Sequence, residues 1–223
     1  MSLSSVKVPE AMVPLFEKAE QYVKDYYDSF RSNKKEGTIT IGGERYILVR
    51  AKSLRVDFAE HLGEALGLPA KLADEAGDNF LYILARAIGK ADAKHFVTEQ
   101  GVKDPIAKLA AGPISFNYSG WAFVDIFPES KPTPDENYFL TYDHPYSFEA
   151  EAYISTKGAT APRPVCVMNA GYSAGWCSES FGVEVDAREI MCQAKGDKAC
   201  RFVMSVKSRL DEREQWALKN IKR

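Results

Sequence analysis

All four cysteines of this 223-residue chain, Cys166, Cys177, Cys192 and Cys200, fall between positions 166 and 200. Four thiols are too few to make a chain of this length a disulfide scaffold, and clustering of this kind favours a metal or reactive thiols in a reducing compartment. Cys192 and Cys200 flank Gln-Ala-Lys-Gly-Asp-Lys-Ala, seven residues around Gly196 that can fold back and bring two thiolates within reach of one ion. Glu189 lies three residues before Cys192. In a regular strand that offset puts the two side chains on opposite faces, so Glu189 joins the thiols only across a bulge or bend. Spacing alone leaves two readings open. One is a mixed sulfur and oxygen site of the kind zinc accepts, with ligands at roughly 2.0–2.3 Å. The other is a set of small buried hydrophobes, as free cysteines commonly are.

Upstream, Met12, Phe16, Ala19, Val23, Tyr26 and Phe30 recur at spacings of four and three. This seam predicts a helix that ends at Gly37, either facing the core or serving as a dimerisation arm. Thr38 to Arg50 reads as a hairpin turning at Gly42-Gly43, where a tight turn needs positive φ. Helices are expected from Leu54 to Leu66, broken by Pro69, and from Ala70 to Glu99, with Gly77 and Gly89 as breaks or close-packing points. From Pro113 the pattern reads as strands: 114–118, 121–127, 138–142 and 148–154, with a Pro-rich loop over 128–135. A loop over 157–164 leads into a helix from Gly171 to Phe181, and a hairpin pairs 183–193 with 200–206. A charged helix from Ser208 to Arg223 closes the chain.

The hydrophobic content of 45% suffices for one sizeable core, with or without an appended helical arm. A net charge of -2 with no basic stripe argues against direct nucleic-acid binding. The longest apolar runs are far too short to span a bilayer, and the first residues lack a signal peptide's apolar stretch, so a cytoplasmic protein is expected. There is no Walker loop, dinucleotide fingerprint or His-Glu-x-x-His, and His61 and His95 lack an activating Cys or Ser nearby. The chain reads as a non-enzyme.

The segment from Pro164 to Phe202 carries Val-Cys at 165–166, Gly171-Tyr172-Ser173-x-Gly175, Arg-Glu-x-x-Cys at 188–192 and Lys-Gly-Asp-x-x-Cys at 195–200. It resembles the 4-vinyl-reductase domain family, in particular the phenol- and xylene-sensing N-terminal domains of bacterial σ54-dependent activators. Tyr46 to Arg50 and Ser147 to Glu151 resemble the family more loosely. The resemblance implies an α/β (α+β) fold, an antiparallel sheet flanked by helices. The domain would run over 38–206, with an N-terminal helical dimerisation arm over 1–37 and a linker helix over 207–223. It also implies a structural zinc held by Cys166, Glu189, Cys192 and Cys200, stapling the C-terminal hairpin; Cys177 matches no ligand position.

A closed four-ligand site holds structure and does not activate water. Function is therefore expected in an apolar pocket beside it, for which we single out Phe116, Asn117, Trp121, His144, Tyr146, Phe148, Tyr172 and Trp176. The His of the phenol sensors falls near Phe116 or Asn117 here, and their Trp falls nearest His144 or Tyr146, so the chain departs from the phenol-binding pair. The expected role is a homodimeric regulatory sensor of a small apolar or aromatic effector that signals to an output module or partner protein. The alternatives are an accessory protein or enzyme of bacteriochlorophyll vinyl reduction, and a structural assembly module of the same fold.

Overall fold

The computed structural model describes residues 3–222, and for 99 and 100 the backbone alone. Positions 1, 2 and 223, the ends of the expected arm and linker helix, lie outside the described residues. Helix α1 (Val13–Asp28) buries Phe16, Ala19 and Val23, the middle of the predicted seam. They join the main core, and α1 packs on α4 (Pro105–Tyr118).

The first helix stops nine residues before Gly37. Phe30 is already off the buried seam and exposed, and Arg31–Asn33 forms strand β2. Asn33 Oδ1 accepts from the amides of Lys35 and Glu36, and Gly37 adopts φ 62°, so the charged run is the turn into β3 (Thr38–Ile41). Strand β4 (Glu44–Tyr46) follows across Gly42 and Gly43, at φ 57° and 82°, as their positive-φ requirement predicts. It ends at Tyr46, leaving Ile47, Leu48 and Val49 exposed. These three strands form a small antiparallel sheet.

A π-helical turn (Ser53–Asp57) leads into α2 (Phe58–Leu66), which ends on Gly67 in the left-handed conformation. The buried face is Val56, Ala59 and Gly63; the expected stripe of Leu54, Phe58 and Leu62 is only half-buried. Helix α3 (Ala70–Gln100) runs unbroken through Gly77 and Gly89. Both glycines are close-packing points: a Cβ on Gly77 would meet Ala59 Cβ at 3.2 Å, and one on Gly89 would meet the Tyr172 carbonyl oxygen at 2.2 Å.

Two expected strands are helices. Residues 114–118 are the end of α4, which Asp104 caps by accepting from the Ala107 amide and which opens on Pro105, a residue pre-set for a first helical position. Residues 148–154 lie in α5 (Phe148–Lys157), where Ser147 caps the N-terminus and Glu149 and Glu151 occupy the first turn. Helix α6 (Val167–Phe181) starts four residues earlier than expected, directly after Cys166.

The main sheet has the order β1 (Val6–Lys7), β5 (Val124–Ile126), β6 (Phe139–His144), β8 (Cys200–Ser205), β7 (Asp186–Met191). All neighbours are antiparallel except β1 and β5. Strand alternation divides the core. Leu140 and Tyr142 of β6 and Phe202 and Met204 of β8 pack with α4 and α6. Phe139 and Val203 face the other way, onto Leu210, Ala217 and Ile221 of the C-terminal helix α7 (Leu210–Asn220) and the residue after it. Helix α3 covers α6, and their backbones nearly touch: Cβ atoms on Gly171 and Gly175 would lie 2.3 and 2.1 Å from the carbonyl oxygens of Tyr82 and Arg86.

Candidate metal centre and adjoining cavity

The sheet and α6 bring the four singled-out ligands together. Cys166 caps α6, Glu189 sits on β7, Cys192 follows it, and Cys200 opens β8. One ligand atom from each lies within 4.8 Å of all the others, and all four residues are buried. Glu189 is opposite Phe202 while Met191 is opposite Arg201, so β7 carries one extra residue between them. That bulge is what the three-residue offset between Glu189 and Cys192 requires. The turn after Cys192 is fixed by Gly196 at φ 92° and by Asp197 Oδ2, which accepts from the Cys192 amide at 2.8 Å.

The donors suit a thiophilic dication. Cys166 Sγ and Cys200 Sγ are 3.6 Å apart; the edge of a tetrahedron with 2.3 Å metal–sulfur bonds is about 3.8 Å. Glu189 Oε2 accepts from the Cys166 amide at 2.7 Å, while its buried Oε1 has no hydrogen-bond partner. Burial pushes the Cys166 thiol and the Glu189 carboxyl well above their usual ranges. The Cys192 thiol is instead pulled down to about 2 by hydrogen bonds from Cys166 and Cys200. A dication would take the place of the protons that burial otherwise imposes.

The surroundings hold these ligands in place. Ser147 Oγ lies 3.2 Å from Cys166 Sγ and accepts from Asn169 Nδ2 at 2.8 Å. The fully buried Glu149 accepts from the amides of Met168 and Asn169 at 3.0 and 2.8 Å, completing the N-terminus of α6. Burial raises its carboxyl to about 7, against the pull of Arg55 and of those amides. Arg55 Nε donates to the Val165 carbonyl at 2.7 Å, and its guanidinium reaches Asp78, which also pairs with Arg163. Sequence reasoning missed this network because its members are more than a hundred positions apart in the chain.

Above the same sheet face lies a cavity of about 370 Å³ of space not filled by atoms, part of it open to solvent. Leu109, Gly112, Pro113 and Phe116 line it from α4, Tyr172, Ser173, Trp176 and Cys177 from α6, and Leu140, Tyr142 and Met204 from the sheet. Of the predicted residues, Phe116, Tyr172 and Trp176 line it directly. Trp121 packs on Phe116, Phe148 and Tyr172, with ring centroids 4.9–5.4 Å apart. His144 is fully buried against Phe116, Tyr142 and Phe202. Tyr146 is 69% exposed, outside this cluster, and Asn117 is half-buried on α4 without lining the cavity.

Burial lowers the His144 imidazole to about 3, so the ring is neutral. Asn169 Nδ2 lies 3.4 Å from its Nδ1, which as acceptor leaves the proton on Nε2. Nε2 is buried with no partner. Cys177 is no member of the metal group; its thiol lies beside the Tyr138 hydroxyl, and burial raises it to about 12.

Comparison with known proteins agrees with this arrangement. Residues 147–206 match the family model of the 4-vinyl-reductase domain, so the resemblance seen in the sequence holds over the segment that carries the ligands. The phenol-responsive sensory domain of the transcription activator PoxR, solved with phenol, shares the fold. The TM-score is 0.72 at 23% identity, covering 96% of this chain and 100% of that one. A trafficking protein particle complex subunit 3 from Naegleria fowleri, covalently bound to palmitic acid, aligns with a TM-score of 0.44 at 13% identity, over 70% of this chain and 95% of its own. No curated protein matches the chain in sequence. Among the described residues, no helix is long and apolar enough to cross a membrane.

Proposed function

We propose that this chain is a regulatory sensor domain in which a small aromatic effector fills the cavity between α4, α6 and the sheet. The carrying observation is an apolar cavity whose wall is backed by a neutral, buried imidazole with an unpartnered N–H. Such a site favours an apolar molecule bearing one acceptor oxygen, because a guest without one leaves the donor unsatisfied. The phenol response of the PoxR sensory domain supports this reading. The role is binding and signalling, not catalysis, in a cytoplasmic protein.

In the same proposal, zinc occupies Cys166, Glu189, Cys192 and Cys200 as a structural staple. It ties the α6 start, which supports the cavity wall, to the β7–β8 hairpin. The output runs through α7: Asp143, next to His144 on β6, is clasped by Arg201, whose Nη1 donates to the Ile221 carbonyl at the end of α7. A homodimer would use surfaces other than the α1 seam, which the chain buries in its own core.

Two measurements test the proposal. Elemental analysis should find one zinc per chain, lost in Cys192→Ser; metal-free wild-type protein purified with zinc available would remove the staple. Calorimetric titration of the zinc-loaded protein with phenol, p-cresol, acetophenone and toluene should show saturable binding, with the oxygenated members tighter. No binding by any of them would overturn the effector reading.

A further inference from the structure

A second cavity, about 420 Å³ of space not filled by atoms, lies between α1, β4, α3 and α6. It shares Tyr172 and Trp176 with the first cavity, so these two rings stand between the two spaces. Its other walls are mainly aromatic, with Tyr26 and Tyr27 from α1 and Tyr46 from β4.

The hydroxyls of these rings are already engaged. Tyr26 and Tyr46 join theirs at 2.9 Å, Tyr27 donates to the Ser115 carbonyl at 3.3 Å, and Tyr172 donates to Asp92 Oδ2 at 2.9 Å. What the cavity offers a guest is therefore ring surface and the Asp92 carboxyl. Asp92 lies within it, and burial shifts its carboxyl upward, opposed by the Tyr172 hydroxyl and by His95. Among the described residues no lysine or arginine pairs with it. His95, at the same cavity, has its Nδ1 3.9 Å from Glu44 Oε1, so a second carboxylate stands close by.

A half-buried carboxyl without a cation, enclosed by aromatic rings, favours a positively charged guest. The negative faces of the rings attract the cation and the carboxylate neutralises it in a partly desolvated setting. A neutral apolar guest would bury the carboxyl further without pairing it, and an anion would be repelled. We propose that this cavity is a binding site for a small alkylammonium cation, held by Asp92 and by the rings of Tyr26, Tyr46, Tyr172 and Trp176. The first cavity has no charged side chain in its lining, so the two spaces select different chemistry. The proposal stands whether or not an aromatic effector binds there.

The test is a titration of the zinc-loaded full chain with choline and with 3,3-dimethyl-1-butanol, which has the same shape without the charge. Choline should saturate and bind at least tenfold more tightly than the alcohol. Asp92→Asn keeps an oxygen that can accept from Tyr172, and it should weaken choline at least tenfold while leaving the circular dichroism spectrum unchanged. Tyr46→Leu, which keeps apolar bulk and removes one ring, should weaken it at least threefold. Equal affinity for the alcohol, an unchanged affinity in Asp92→Asn, or no saturation by choline would each overturn the assignment.

Discussion

Substituting Gly175 by alanine sets two effects of opposite sign against each other. In an isolated helix the change is favourable by about 1 kcal/mol, because alanine loses less backbone entropy than glycine. In this structure the added Cβ would lie 2.1 Å from the Arg86 carbonyl oxygen, 2.9 Å from its carbon and 3.0 Å from the Lys90 nitrogen. An ordinary carbon–oxygen contact is about 3.3–3.6 Å. The overlap therefore exceeds about 1 Å, and all three atoms belong to the backbone of α3, which cannot swing aside as a side chain can. Overpacking a tight interface costs about 1–3 kcal/mol, and a backbone obstacle places this site at the upper end. The expected net loss is about 2 kcal/mol, which lowers Tm by about 4–8 °C in a domain of this size. Thermal unfolding should be followed at fixed free zinc, so that changed metal affinity does not masquerade as changed packing. Gly77→Ala grades the comparison, because its Cβ meets only Ala59 Cβ at 3.2 Å and squeeze and propensity should nearly cancel. A Tm for Gly175→Ala equal to or above wild type would show that α3 and α6 are not in backbone contact, and would refute the reasoning.

Arg201→Met removes the two hydrogen bonds that Arg201 makes to the Asp143 carboxylate, at 2.8 and 3.0 Å, and leaves that charge buried. The loss expected in urea titration is about 3–5 kcal/mol, with a large part recovered when Asp143→Leu is added. His144 titrates at about 3 in the folded chain against 6.5 in the unfolded one. The unfolded state thus takes up the proton first as pH falls. The residue's contribution is intact above about 6.5 and is lost progressively toward pH 3, reaching roughly 4–5 kcal/mol. The stability difference between wild type and His144→Phe should follow that slope, and nitrogen NMR should find the ring singly protonated at pH 5. A doubly protonated ring at that pH would refute its burial.

The metal group was legible in the sequence because its constraint is local. Seven residues with a glycine can close between Cys192 and Cys200, and the offset of Glu189 demanded the bulge that β7 contains. The turn at Gly42-Gly43 was legible for the same reason. The two misread helices share a cause. Ile-Ser-Phe-Asn-Tyr and Phe-Glu-Ala-Glu-Ala-Tyr both alternate apolar and polar residues, so they match a strand's period of two. The true stripe on α4, Leu109, Gly112, Pro113 and Phe116, has helical spacing, but glycine and proline do not register as apolar anchors. On α5 the signal was the cap at Ser147 and the acidic first turn, which carry more information than alternation over so short a run. The cavity had no local signature, since its lining comes from helices and strands far apart in the chain.

The alternation of β6 bears on how variants of this protein should be interpreted. Tyr142 and His144 look toward the cavity, and Asp143 between them looks toward Arg201 and the end of α7. A library randomised over these three positions to change ligand preference therefore also varies the clasp on the last helix. Such a selection should return two kinds of clone from one stretch of codons: those that respond to a new compound, and those whose output no longer depends on any compound. Asp143 should be held constant when the first kind is sought, and varied alone when the second is.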